Sequence, residues 1–397
     1  MAAAHMSGVF FLAWRYLLWH RWKTAILVLA VTLVVYVPLG LQLVVQQTAA
    51  DMTSRADSSP LLVGSRGSPL ELVLNSLYFS AGRPPTLDYG QLEKLRDTEL
   101  VQPIPLYVRF QSQGYPIVGT NLDYFDFRGL HIARGRQMVS LGDAVVGARV
   151  AQRLGVGPGD SIVSSPESVF DLAGVYPLKM QVVGVLASSY SQDDDAIFVD
   201  VKTAWIIQGL GHGHQDLARP ESAAAVLKKD GDRIVANAAL VQYNEITPDN
   251  IDSFHFHGDN RRNPLTAILP VPLDNKAKVL IQGRYQSHPQ LQILQPRAVM
   301  DELLETVFAV QRYVLVAMAL VGTATAAVVL LVFLLSLRAR RAEMDTMSRL
   351  GGSRVAIASL MLAEIVLVLL LSVVLAATLT GVTLIWGGPL LQAVVMQ

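Results

Sequence analysis

The chain has 397 residues, of which 52% are hydrophobic and 16% charged, and its net charge is +0. A soluble globular domain carries about 25% charged residues, so the deficit points to a membrane, while the apolar excess is too small for a chain that is membrane throughout. The even charge balance excludes the basic footprint of nucleic-acid binding, and the lack of cysteine excludes disulfides, thiolate metal sites and cysteine nucleophiles.

Within residues 1–23, the stretch 9–23 alternates aromatic and basic side chains: Phe10, Phe11, Trp14, Arg15, Tyr16, Trp19, Arg21, Trp22 and Lys23. Aromatic rings settle at headgroup level and basic groups snorkel toward the anionic leaflet, so this segment is predicted as an elbow helix on the membrane surface. Residues 24–46 form the first span, with no charge over 24–45. The run is too long for a cleaved signal peptide and reads as an anchor.

Residues 47–309 have a mixed α+β pattern and make one large domain between the first and second spans. Ser68, Pro69 and Glu71 stand as N-cap, first helical residue and third, a capping box. Residues 106–110 and 115–119 flank a Ser112-Gln113-Gly114 hairpin turn. A strand at 143–147, a helix at 148–154 and a tight turn at 155–160 follow. Further strands are predicted at 179–186, 196–199, 238–243, 267–271 and 279–283. A polar stretch at 209–232 reads as an irregular excursion.

Helical periodicity resumes after Pro296 and runs without a break into the second span, 310–337. A helix over 297–337 would be roughly 60 Å long. Residues 338–354 form a short basic loop. The third span covers 355–386, with Glu364 as its only charge, and Gly387-Gly388-Pro389 is expected to break the helix before the tail, 387–397. Basic residues mark the cytoplasmic side. Arg15, His20, Arg21 and Lys23 precede the first span, and Arg338, Arg340, Arg341, Arg349 and Arg354 fill the loop. The N-terminus is thus expected on the cytoplasmic side of the bacterial inner membrane and the large domain in the periplasm.

No phosphate-binding G-x-x-x-x-G-K-[ST], no H-E-x-x-H and no G-x-S-x-G is present. The chain is therefore predicted to be non-catalytic. Its spans also lack the buried ionisable groups of an ion-coupled carrier. Six of the eight histidines, His131, His212, His214, His255, His257 and His288, fall in the large domain. Two pairs, His212-Gly-His214 and His255-Phe-His257, are followed by Asp216 and Asp259. In an extended segment residues two apart share a face, so each pair can offer two imidazoles to one ion, and that ligand chemistry suits zinc.

The loop reads RARRAEMDTMSRLGGSR, and there the chain resembles the FtsX/MacB permease family. The opening through Lys23-Thr24, the Val145-Val146-Gly147 to Asp160 strand–helix–turn and residues 181–185 are similar to the same family. Glu364 matches a glutamate common early in its third span. The resemblance implies the permease subunit of an ABC transporter of mechanotransmission type, a homodimer in the lipid bilayer. A separate cytoplasmic ATPase would carry ATP-Mg, and a periplasmic binding or adaptor protein would join it. The expected ATPase-coupling residues are Arg341, Glu343, Met344, Arg349, Leu350, Gly351, Gly352 and Ser353, with the two glycines permitting a sharp turn. The alternative it leaves open is an FtsX-like regulator that controls a periplasmic partner without transport. Residues 64–75 resemble a subgroup encoded beside periplasmic zinc-binding proteins, which implies a zinc-linked role for His212, His214, His255 and His257. The family's usual fourth span has no counterpart in residues 389–397, leaving a three-span form or a shortened chain.

Overall fold

A computed structural model describes residues 2–165, 177–214, 226–230, 233–236, 243–351 and 353–395. In chain order, α1 (Ala2–Trp19) and α2 (Arg21–Asp57) come first. Then follow β1 (Leu62–Ser65), α3 (Pro69–Tyr78), β2 (Leu87–Asp88), α4 (Gly90–Arg96), β3 (Val101–Ser112), β4 (Tyr115–Thr120), α5 (Asp123–Arg128) and β5 (Ile132–Gly135). Next come β6 (Asp143–Val146), α6 (Ala148–Leu154), β7 (Ser161–Val163), β8 (Lys179–Leu186), β9 (Ile197–Asp200), α7 (Val201–Ile207) and β10 (Gly211–Gly213). The rest are β11 (Val226–Asp230), β12 (Arg233–Ala236), β13 (Phe254–Phe256), β14 (Pro264–Leu265), β15 (Ala267–Pro272), α8 (Asn275–Gln286), β16 (Leu291–Leu294), α9 (Pro296–Ala339), α10 (Arg341–Arg349) and α11 (Arg354–Val395). The chain divides into a helical unit, residues 1–53 with 303–397, and an α/β unit, residues 54–302.

In the α/β unit a ten-stranded mixed sheet runs in the order β16-β1-β15-β3-β4-β9-β6-β8-β5, with β7 on β8. The β4–β9 and β6–β8 pairs are parallel. Central strands covered on both faces should read as continuous apolar runs. Ala144, Val145 and Val146 of β6 and Ile197, Phe198 and Val199 of β9 do, each fully buried. At the β6–α6 junction a Cβ on Gly147 would lie 2.3 Å from the Asp194 carbonyl oxygen and 2.4 Å from that of Asp193. Only glycine permits that approach of two backbones.

The predicted hairpin forms between β3 and β4, with Gln113 and Gly114 both at positive φ, the backbone of a two-residue type I′ turn. Ser68 caps α3, its Oγ accepting from Glu71 N at 3.3 Å. Glu71 Oε1 accepts from Arg83 N at 3.0 Å, tying down the following loop.

Three expectations are corrected. Residues 279–283 belong to helix α8, not to a strand. Asp274 caps that helix by accepting from Ala277 N at 2.7 Å, and Ala277, Ile281 and Tyr285 are buried at helical spacing. Val279 and Leu280, which suggested a strand, lie exposed on its surface. The polar excursion contains strands β10 and β11, and β11 pairs antiparallel with β12 just beyond it, with a register shift between Val226 and Lys228. And α11 runs through Gly387-Gly388-Pro389 to Val395, as α2 runs through Pro38. Membrane-spanning helices tolerate such residues where neighbouring groups satisfy the freed carbonyl. The strand expected at 238–243 falls outside the described residues except for Tyr243.

Among the described residues, three helices are long and apolar enough to cross a membrane: Arg21–Asp57, Pro296–Ser336 and Arg354–Ile385. Their large apolar side chains are widely exposed, among them Val316, Leu331 and Leu362, as lipid-facing surfaces are. Leu17, Leu27 and Val368 form a small core between α1, α2 and α11. Polar contacts reinforce it: Thr32 Oγ1 donates to Ser372 O at 3.3 Å, Ser372 Oγ to Val28 O at 3.2 Å, and Tyr36 meets Thr383 at 2.8 Å.

Candidate metal centre and coupling segment

The histidine pairs lie on facing strands. β10 and β13 are antiparallel, with His212 opposite His255, Gly211 opposite Phe256 and Gly213 opposite Phe254. The alternation explains the pattern. Phe254 and Phe256 pack on the main core, and Phe256 meets Trp205 edge-on at 6.1 Å. The rings cover the partner glycines so closely that a Cβ at Gly211 or Gly213 would lie 2.6 Å from them. With Gly211, Gly213, Phe254 and Phe256 turned to the core, the histidines share the other face.

There His212 and His255 have ring centroids 5.0 Å apart, His214 and His255 5.1 Å, His212 and His257 4.9 Å. Candidate ligand atoms of His212, His214 and His255 all lie within 4.8 Å of one another. His257 Nε2 is 3.4 Å from His212 Nε2. His255 Nδ1 lies 2.9 Å from Ser253 O; since a carbonyl can only accept, Nδ1 is the donor there, and Nε2 is the candidate ligand atom. Burial, with the neighbouring imidazoles of His255, His257 and His214, holds His212 below the usual histidine range, in its neutral, ligating form.

Asp259 caps a short 3-10 turn through Arg261 N at 3.0 Å, and Asp216 lies outside the described residues. His131 stands apart and exposed, and His288 Nδ1 accepts from Gln290 N and Leu291 N.

In the helical unit the loop is a nine-residue helix, α10. Arg341, Arg349 and Leu350 are exposed, Leu350 at 83%, and Met344 is half-buried. Gly351 takes φ +92°, a left-handed turn suited to glycine. Ser353 caps α11 by accepting from Ala356 N at 3.2 Å. Gly352 and the side chain of Glu343 lie outside the described residues. Val9, Leu12, Met347, Leu350, Val355 and Ile357 line an open apolar groove of about 570 Å³.

Sequence reasoning missed the polar node behind this segment. Arg340 is 6% exposed and Glu364 8%. They form an ion pair with Nη1 3.0 Å from both carboxylate oxygens, and the guanidinium lies 3.7 Å from the Tyr16 ring centroid. Lys23 reaches Ser336 nearby. Arg340 had read as one of five basic loop residues; a lone glutamate in an apolar run was the signal that one of them must be its partner.

A family model described as the MacB-like periplasmic core domain matches residues 24–243. No curated protein matches the chain. Among solved structures, the chain is similar to the extracellular domain of the noncanonic ABC-type transporter YknZ from Gram-positive bacteria, at 11% identity and a TM-score of 0.32, covering 59% of this chain and 98% of that one. It is also similar to the periplasmic region of MacB from Actinobacillus actinomycetemcomitans, at 11% identity and a TM-score of 0.33, covering 62% and 91%.

Proposed function

The chain belongs to the MacB-like periplasmic core domain family, and from that premise we propose that it is the permease subunit of an ABC transporter, coupling a separate cytoplasmic ATPase to its α/β unit by mechanotransmission. The ATPase docks on α10 and the adjoining groove. Leu350 carries this reading. An apolar side chain left 83% exposed in a segment that also exposes Arg341, Arg349 and Arg354 suits an anchor for a partner whose surface is apolar with acidic groups around it. The permease acts as a homodimer in the bacterial inner membrane, with α10 and the N-terminus inside and the α/β unit outside, where a binding or adaptor protein joins it.

The test is co-purification. Replacing Arg349 and Leu350 together by alanine is expected to weaken ATPase association by about 10–100-fold, the 1–3 kcal/mol of interface anchors, with the helical content unchanged. Undiminished association would remove α10 from the mechanism. Orientation has its own test, because the chain has no cysteine. Single cysteines at exposed Ser140 and Ser348 should differ in intact cells, with an impermeant thiol reagent marking only position 140. Labelling at 348 would reverse the topology.

A further inference from the structure

We infer that the β10–β13 ribbon is a zinc site, with His212, His214 and His255 as ligands and His257 as the fourth. Zinc prefers four tetrahedral ligands at about 2.0–2.1 Å from imidazole nitrogen, so two nitrogens on one ion lie about 3.3–3.4 Å apart. His212 Nε2 and His257 Nε2 stand at 3.4 Å, the edge of such a tetrahedron. A direct contact between the two rings offers at most one weak hydrogen bond, whereas a shared cation would engage a nitrogen lone pair of each. His255 faces His212 directly across the ribbon and His214 stands two residues further along the strand of His212, with the candidate ligand atoms of the three all within 4.8 Å of one another.

Two further features prepare the site. The bond from His255 Nδ1 to Ser253 O orients the ring and sets its tautomer, the role that carbonyls play around metal-bound histidines. The phenyl rings of Phe254 and Phe256, locked over Gly213 and Gly211, hold the backbone under the imidazoles, so little ordering entropy remains to be lost on binding. Cysteine is absent from the chain, and the nearest described carboxylate in sequence, Asp259, is committed to its cap. Among the described residues the donor set is all nitrogen, which suits zinc among the abundant divalent ions and disfavours magnesium and calcium. His257 is exposed and the other three half-buried; a site open on one side exchanges its ion, unlike an enclosed structural centre.

The experiment is zinc titration of the full chain, without an affinity tag, in detergent, by competition with a chromophoric chelator. About one zinc per chain is expected, with a dissociation constant in the micromolar range or tighter. His212→Ala with His255→Ala should weaken binding at least 100-fold, His257→Ala about tenfold, and His131→Ala not at all. X-ray absorption of the zinc-loaded wild-type chain should show a nitrogen shell at about 2.0–2.1 Å with imidazole scattering from three or more rings; this needs no variant and decides the matter if the double variant misfolds. Binding only in the millimolar range, unchanged affinity in a folded double variant, or fewer than three imidazoles would overturn the site. ATPase co-purification should be untouched by these histidine variants, so the two readings fail separately.

Discussion

Replacing Asp193 by alanine is expected to cost the α/β unit about 3–5 kcal/mol, the range for removing one partner of a buried ion pair. Asp193 is 2% exposed and Arg55 7%. Arg55 Nη1 donates to Asp193 Oδ2 at 2.6 Å and Nη2 to Oδ1 at 2.9 Å. Arg55 Nη2 also donates to the Tyr124 hydroxyl at 2.8 Å, and that hydroxyl donates to Asp193 Oδ1 at 2.7 Å. Burial pushes Tyr124 up to about 12, so it remains a donor at neutral pH. Without the carboxylate, Arg55 keeps its charge in the interior beside Phe79. Hydrogen exchange over residues 54–302 of the full chain should show the loss; unchanged protection would mean the charge escapes to water. The exposed-side pair Arg136–Asp143, where Arg136 is 52% exposed, should contribute about 1 kcal/mol or less.

The same carboxylate sets an acid response. Burial alone would raise Asp193, but the charge and hydrogen bonds of Arg55, with the hydroxyl of Tyr124, hold it below the usual carboxylate range. A group depressed in the folded state stabilises fully above its unfolded value, about 3.9, and loses that contribution as pH falls through the folded value. Protection of the α/β unit should therefore decline below about pH 5, and less steeply in Asp193→Asn.

A second large effect is expected at Glu364. Glu364→Ala leaves Arg340 buried beside Tyr16 without its counter-charge, and should cost about 3–5 kcal/mol as a lowered melting point of the chain in detergent. Arg340→Met with Glu364→Leu, which removes both charges and keeps the volume, should recover most of that loss. If the double variant melts as low as the single one, the node is held by something other than the pair.

How much of this could be read in advance differs by element. The spans and the long helix α9 were legible because lipid demands about 20 apolar residues without interruption. The β3–β4 hairpin was legible because its turn needs positive φ at both central residues, and Gln113-Gly114 offers it. Helix α8 was not, because Val279, Leu280 and Ile281 look like a strand until the cap at Asp274 sets the period. Asp193, Asp194 and Asp195 give no hint in sequence of their separate duties. One pairs with Arg55, the next accepts from Ser188, Ser189 and Tyr190, and the third pairs with Arg149. Arg55 and Arg149 come from distant segments, and only the tertiary fold brings them to their carboxylates. The histidine pairs were visible, but each pair by itself says nothing of the other. Their convergence depends on the β10–β13 register, for which Gly-His-Gly-His against Phe-His-Phe-His is the only written sign.

That ribbon also limits how the chain can change. Side chains alternate with period two, so a slip of one residue would drop imidazoles onto Trp205 and lift two phenyl rings into water. Inserting or deleting a residue within either short run would thus spoil the packing and the ligand face together. The same change in the chain between the runs shifts neither. Length variation among relatives should therefore gather between β10 and β13 and stop abruptly at both four-residue runs, 211–214 and 254–257.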